Sequence, residues 1–365
     1  MGSARTWNVD AEIDPRIHST ADHVAMAVRI LVESGTTAFL RMEEPATEAF
    51  CSQVASMYQA VPYHNFKHAF SVMHTTYLLL QSYIQSPFTP LEVAALLLAA
   101  LCHDIQHNGR TSSFHQTTKS ALAREYASHK GSVLEAMHAS VAIDTMTAEH
   151  VFDHVVAADA DAIKSMIQEL ILATDMALHP QVIQAYADKK SSGDSLTQAK
   201  MILHCADISN PTKSPEVAKW WSHAVLREFC MQVDEEQKLQ LPVSGFMKAD
   251  LFSREEANMH LEFVDSFAVP AWRLLAVSSH FDEYVTRQCM TNIVLCRKMW
   301  LAAMEPTVQL TVMSFPRTLK RTKSAYEDMS PCGDDEKASS TKRRCMKKVV
   351  RRSGLETAAV DVNVT

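Results

Sequence analysis

The chain has 365 residues, 47% apolar and 21% charged, which is enough for a sizeable buried core and too apolar for a mainly disordered protein. Only 8 residues are glycine, and neither G-x-G-x-x-G nor G-x-x-x-x-G-K-[ST] occurs, which disfavours dinucleotide-binding, P-loop and most many-stranded β folds. Net charge is −7, but residues 315–365 hold 12 Lys+Arg against 7 Asp+Glu, so an acidic body precedes a basic tail.

The expected fold class is all-α, a compact multi-helix bundle, because Ala, Leu, Met, Glu and Lys dominate the long segments. Taken in chain order, Met1 to Asp14 is polar and lacks the apolar run of a signal peptide. Tyr63-His64-Asn65-Phe66-Lys67-His68-Ala69 sets two imidazoles at i and i+4, on one face if the stretch is helical. Thr89-Pro90-Leu91-Glu92 is a capping box with proline at the first helical position. The apolar run that follows, Val93 to Cys102, predicts a helix buried on every side and is too short to cross a bilayer. His103-Asp104 falls where that helix ends. Ile163 to Thr174 and Ala199 to Ala206 repeat the helical period, and Ser214-Pro215-Glu216 opens a helix whose Trp220, Trp221, Val225 and Phe229 read as core. Lys189 to Asp194 and Leu241 to Lys248 read as loops. Cys102 and Cys205 lie inside apolar runs and read as reduced core thiols, which with no C-x-x-C points to the cytoplasm or nucleus. The composition break near Pro316 divides a globular domain, 1–314, from a tail, 315–365, that is too polar and charged to fold alone.

Chemistry concentrates in a few histidines and carboxylates set in apolar helices. Met201-Ile202-Leu203 precede His204-Cys205-Ala206-Asp207, so Asp207 is expected deep in the fold. Buried charges need a partner or a cation. Imidazoles and carboxylates from separate helices suit a mixed site for zinc and a harder second ion. Each signal alone is unspecific: His64 and His68 also fit a surface pair, His103-Asp104 is a common dipeptide, and Asp207 could cap the turn before Ser209-Asn210-Pro211.

Together, in this order, they resemble the catalytic domain of class I cyclic nucleotide phosphodiesterases from about Trp7 to Val312. The matching strings are Tyr63-His64-Asn65 with His68-Ala69; His103-Asp104 with His107; Ser132-Val133-Leu134-Glu135; Ile171-Leu172-Ala173-Thr174-Asp175-Met176; His204 to Pro211; and Phe263-Val264-Asp265. The resemblance implies that His68, His103, Asp104 and Asp207 hold a tight Zn²⁺, and that Asp104 also reaches a second ion, Mg²⁺ or Mn²⁺. It implies that His107, Glu135 and Thr174 order the surrounding waters, and that His64 is the general acid toward the ribose O3′. Asn210, Val225 and Phe263 fall on base-contacting positions, with cAMP favoured over cGMP by the Ser-Asn-Pro-Thr string. The expected product is a nucleoside 5′-monophosphate, which ends a cyclic nucleotide signal. No regulatory module is expected ahead of the domain.

Three departures bear on substrate recognition. The family's purine-binding glutamine is His260, its glycine before the stacking Phe is Glu262, expected to add bulk and charge beside the pocket, and its signature Asn is Ser112, with Gln106 and Asn108 replacing Asp and Pro. They leave two alternatives open: a nucleotide-binding or scaffold pseudo-phosphodiesterase, and another HD-type phosphohydrolase. In the tail, Lys342 to Arg352 carries seven basic residues in eleven, a candidate for binding importin, anionic lipid or nucleic acid. A homodimer is the oligomer admitted.

Overall fold

The computed structural model describes residues 14–129, 132–189 and 194–304. The expected boundary near Pro316, the basic tail and part of the Lys189–Asp194 loop lie outside the described residues.

Local signals set the helices. Thr89 accepts from the Glu92 N–H while the Glu92 carboxylate takes the Thr89 N–H, closing the capping box ahead of helix Pro90–Cys102. Ala94 to Cys102 are all buried, so this helix is the axis of the fold. Around it pack Phe66–Gln81, Ala157–Leu172 and Ser195–Asp207, the last of which also touches the other two. At 25 cal/mol per Å² a fully buried Leu contributes about 1.5–3 kcal/mol, and Leu96, Leu97, Leu98 and Leu101 are each at most 1% exposed. Among the described residues there is no named strand, only an isolated bridge between Tyr83 and Phe281. The all-α expectation holds. Cys102 and Cys205 are buried free thiols, as expected, and no helix of the described residues is long and apolar enough to cross a membrane.

Two local features differ from the sequence pattern. Helix Arg254–Phe263 runs on through Val264–Ala268 into Val269–Ala276, with the Val269 N–H bonded five residues back to the Val264 carbonyl. Pro270 explains this π-turn: its ring and missing N–H do not fit an uninterrupted i→i−4 ladder. In helix Pro215–Lys238 only Trp221 of the expected core stripe is fully buried; Trp220 and Val225 are half-buried against a small cluster of Trp221 with Tyr63, Val217 and Ala224, and half-buried Phe229 meets Phe246 instead.

Two histidines that are not among the four clustered ligand residues are fully buried, His23 and His204. Burial, aided by Lys67, pushes His23 down to about 4, and burial also pushes His204 down to about 4, where it shares a 2.7 Å hydrogen bond with His179. Both are therefore neutral when folded, whereas the unfolded chain protonates them near pH 6.5. Stability from this source is complete above pH 6.5 and is lost as pH falls toward 4. Each contributes up to about 2 kcal/mol of destabilisation at pH 5. Thermal melts between pH 7.5 and 5 should show Tm falling, with a shallower decline in His23→Phe; an identical slope in that variant would contradict the assignment.

Candidate metal centre

The site gathers at the ends of the central helices. Asn65 is the extended N-cap of helix Phe66–Gln81, its side chain accepting from the Lys67 N–H. His64 therefore sits before the helix and His68 in its first turn, so the two do not share a helix face as their spacing suggested. His103 closes helix Pro90–Cys102, Asp104 begins the loop beyond it, and Asp207 ends helix Ser195–Asp207. Three helix termini thus deliver His68, His103, Asp104 and Asp207 to one point.

One ligand atom from each of these four lies within 4.8 Å of the other three. The His68 Nε2 is 3.1 Å from Asp207 Oδ1 and 3.5 Å from Asp104 Oδ2; the His103 Nε2 is 3.1 Å from Asp104 Oδ2 and 3.3 Å from Asp207 Oδ1. The His103 Nδ1–H donates to the Ala100 carbonyl at 3.0 Å, which turns the lone pair of Nε2 toward the carboxylates. That buried Nε2 has no hydrogen-bond partner. Lone pairs and carboxylate oxygens facing each other at such distances repel unless a positive charge lies between them. The same pressure appears in the titration: burial pulls His103 down, but Asp104 and Asp207 outweigh it and hold it well above the usual imidazole range. Burial pushes both aspartates up, yet His103 holds each well below the usual carboxylate range. The donor set fits a divalent cation.

Asp104 also groups with His107 and His138 within 4.8 Å. The His138 Nδ1–H donates to the Ile105 carbonyl at 2.7 Å, and its Nε2 stands 3.8 Å from Asp104 Oδ1. Asp104 thus turns one oxygen to each set, the geometry of a bridging carboxylate. Glu135 lies half-buried one turn before His138 on helix Val133–Ala148; desolvation, against a hydrogen bond from Ser132, pushes it up to about 7, and its buried Oε2 is unpartnered. Thr174 is buried, but its hydroxyl donates to the Ile171 carbonyl at 2.8 Å.

Beside this centre, His64 pairs through Nδ1 with Glu228, whose other oxygen accepts the backbone N–H groups of Tyr63 at 3.0 Å and His64 at 3.1 Å. Burial opposes charge on His64, but Glu228, then Asp104 and Asp207, raise it to about 9. The ring of His107 stacks on that of His64 at 4.0 Å. Gly109 has φ +72°, and a Cβ there would meet the Glu228 side chain at 3.0 Å, so glycine is required for the loop to pass Glu228.

The remaining expected residues divide into two groups. Asn210 donates to the Tyr63 hydroxyl at 2.6 Å, and Val225 packs on the Tyr63–Trp221 cluster, both close to His64 and His68. Phe263 and His260 lie on helix Arg254–Phe263, the former against Phe267 at 5.7 Å and the latter against Trp300 at 4.6 Å. Glu262 does not crowd a pocket: its exposed side chain accepts from Asn258 one turn back. Ser112 is engaged elsewhere as well, pairing with the Ser132 hydroxyl and accepting the Leu134 N–H at the start of helix Val133–Ala148. Asn108, at the expected Pro position, accepts from Arg110 N–H and stands 3.2 Å from His115. Gln106 holds φ +63°, a left-handed turn two residues after Asp104.

Sequence reasoning missed Glu228 and His138. Both had a faint signal: Glu228 follows Trp221 by seven residues and His138 follows Glu135 by three, each on a helix face shared with a residue already singled out.

The fold and site define an all-helical protein with a buried His/Asp centre suited to divalent cations. The chain belongs to the 3′,5′-cyclic nucleotide phosphodiesterase family, whose model matches residues 63–288. It is 32% identical over 230 residues to the high affinity cGMP-specific 3′,5′-cyclic phosphodiesterase 9A of Pan troglodytes, covering 60% of this chain and 38% of that protein. It is 30% identical over 275 residues to the cGMP-specific 3′,5′-cGMP phosphodiesterase 3 of Dictyostelium discoideum, covering 71% and 57%. The chain therefore spans less than two thirds of these curated relatives. Among solved structures, the phosphodiesterase domain of the Salpingoeca rosetta RhoPDE fusion protein superposes with a TM-score of 0.75 at 28% identity, covering 82% of this chain and 96% of that one. The LmjPDEB1 complex with IBMX gives 0.73 at 26%, covering 83% and 94%.

Proposed function

We propose that this chain hydrolyses 3′,5′-cyclic nucleotides to nucleoside 5′-monophosphates, with His64 as general acid and His68, His103, Asp104 and Asp207 as ligands of a tight metal ion. The observation that carries the reading is the placement of the His64–Glu228 pair beside four converging ligand atoms. Two imidazoles and two carboxylates suit Zn²⁺, and the oxygen of Asp104 turned toward His107 and His138 suits a second, harder ion such as Mg²⁺ or Mn²⁺. When bound, such ions acidify water and screen the phosphate charge. The chain's own groups do the rest. Glu228 keeps the His64 imidazole protonated, so that it holds a proton for the departing O3′. Tyr63 and Asn210 brace the cation side, while Val225 and Phe263 offer apolar faces to a purine.

The Ser209-Asn210-Pro211-Thr212 string suggests cAMP, but both curated relatives above are named cGMP-specific, and cGMP is the substrate we favour. Purified protein supplied with Zn²⁺ and Mn²⁺ should convert cGMP to 5′-GMP faster than cAMP to 5′-AMP at equal low concentration, read by product chromatography. Turnover of neither nucleotide by folded, metal-loaded protein would overturn the reading and favour a nucleotide-binding pseudo-phosphodiesterase.

A further inference from the structure

Among the described residues, Lys213 is 1% exposed and is one of the largest side chains the core encloses. Lysine is almost never buried this far without a partner. It stands at the end of the short turn Asn210–Thr212, just beyond Asp207, and its backbone N–H closes that turn on the Asn210 carbonyl at 3.2 Å. The side chain enters the core, where Nζ donates to the Thr75 hydroxyl at 2.9 Å. Thr75 belongs to helix Phe66–Gln81 and follows His68 by two turns, on the same helix face.

The hydrogen bonds around Thr75 have a fixed direction. Its hydroxyl proton goes to the Ser71 carbonyl at 2.9 Å, which leaves only lone pairs for Lys213 and for the Ser209 hydroxyl at 3.4 Å. Thr212 is pinned as well: its hydroxyl donates to the Ser209 carbonyl at 2.7 Å, and its carbonyl accepts the Asn292 side-chain N–H at 2.8 Å from helix Glu283–Met304. Thr75, Ser209, Thr212 and Asn292 are all buried. Breaking such a bond in a dry core is costly, because either partner left alone stays desolvated. On the open side of this clamp is half-buried Asn210, whose amide reaches the Tyr63 hydroxyl at 2.6 Å. The Tyr63 ring in turn lies 4.7 Å from that of His64 and 4.5 Å from that of His68.

We propose that Lys213 is a positioning residue for the hydrolysis: anchored on Thr75, it fixes the Asn210–Thr212 turn to the helix that carries His68, and thereby holds Asn210 and Tyr63 against the His64 and His68 rings. The inference rests on the catalytic reading of those two imidazoles given under the proposed function. Lysine suits the task because its long stem crosses the core and its compact amine ends in donors alone, matching a hydroxyl whose own proton is already spent. A methionine would fill much the same space and donate nothing.

Steady-state kinetics on cGMP and ¹³C NMR of the full chain labelled at tyrosine Cζ test this together. Lys213→Met should lower kcat/KM by about 10-fold, as a small misplacement of reacting groups does. Thr75→Val, which keeps the shape and deletes the acceptor, should do the same, whereas Thr75→Ser, which gives up a methyl group and keeps the hydroxyl, should stay near wild type. Combining Lys213→Met with Asn210→Ala should cost little more than either change alone, because both act through one contact. The Tyr63 signal, assigned by its absence in Tyr63→Phe, should move in Lys213→Met and Thr75→Val as it does in Asn210→Ala, and hold still in Thr75→Ser. A Tyr63 signal unmoved in folded Lys213→Met or Thr75→Val, or a Thr75→Ser variant as impaired as Thr75→Val, would overturn the inference; should Lys213→Met fail to fold, the two Thr75 variants decide. The NMR result needs no turnover, so an inactive wild type would contradict the enzyme reading and leave the Lys213 clamp to be judged on Tyr63.

Discussion

His64→Ala should lower kcat by about 10²–10⁴-fold, the usual span for loss of a positioned general acid, while bound zinc stays near wild type. The reason is positional. His64 pairs with Glu228 and is not among the four atoms that converge on the tight site, so removing it deletes a proton donor without opening the cation cage. Its protonation also sets the alkaline limb of the pH profile. The folded group is raised to about 9, so the competent, protonated form is present below that pH and lost as pH rises through it. Glu228→Gln keeps the shape of the pair and removes the charge, which should move the alkaline limb down by about 1–2 pH units. A limb that stays put in Glu228→Gln, or near-normal kcat in His64→Ala, would remove His64 from the chemistry.

Asp207→Ala should be the more damaging change, because it costs a ligand rather than a proton. Asp207 Oδ1 faces both His68 at 3.1 Å and His103 at 3.3 Å. Without it the two imidazoles confront each other across a lost charge, and cation affinity should fall by more than the roughly 10–100-fold that loss of an outer partner costs. Activity at micromolar metal should disappear and return, if at all, only at much higher metal concentration. Full activity at wild-type metal levels would show that Asp207 merely ends its helix, the bland alternative its sequence context allowed.

Much of this was legible because local signals and burial agreed. The Thr89 capping box, the apolar run behind it and the His103-Asp104 pair at its end fix where a carboxylate meets the core, and the structure keeps all three. The i,i+4 spacing puts His64 and His68 on one face only if the stretch is helical, and the extended Asn65 N-cap starts the helix after His64. Glu228 was hidden for a different reason. Its role depends on backbone N–H groups 164 and 165 residues away, and no local pattern encodes that. Ser112 and Glu262 looked like losses at a pocket but are turned to local hydrogen bonds, which sequence spacing does not reveal. Pro270 marks the π-turn at Val264–Ala268, but a proline in a helical stretch signals a break without fixing its form.

The most direct measurement is metal content of the folded full chain after zinc loading and exhaustive dialysis, by mass spectrometry of the metal. Convergence of His68, His103, Asp104 and Asp207 predicts one tightly retained zinc per wild-type chain and none in His103→Ala. Wild-type protein that keeps no zinc while remaining folded, or a His103→Ala variant that keeps as much as wild type, would contradict the shared cation on which the account stands.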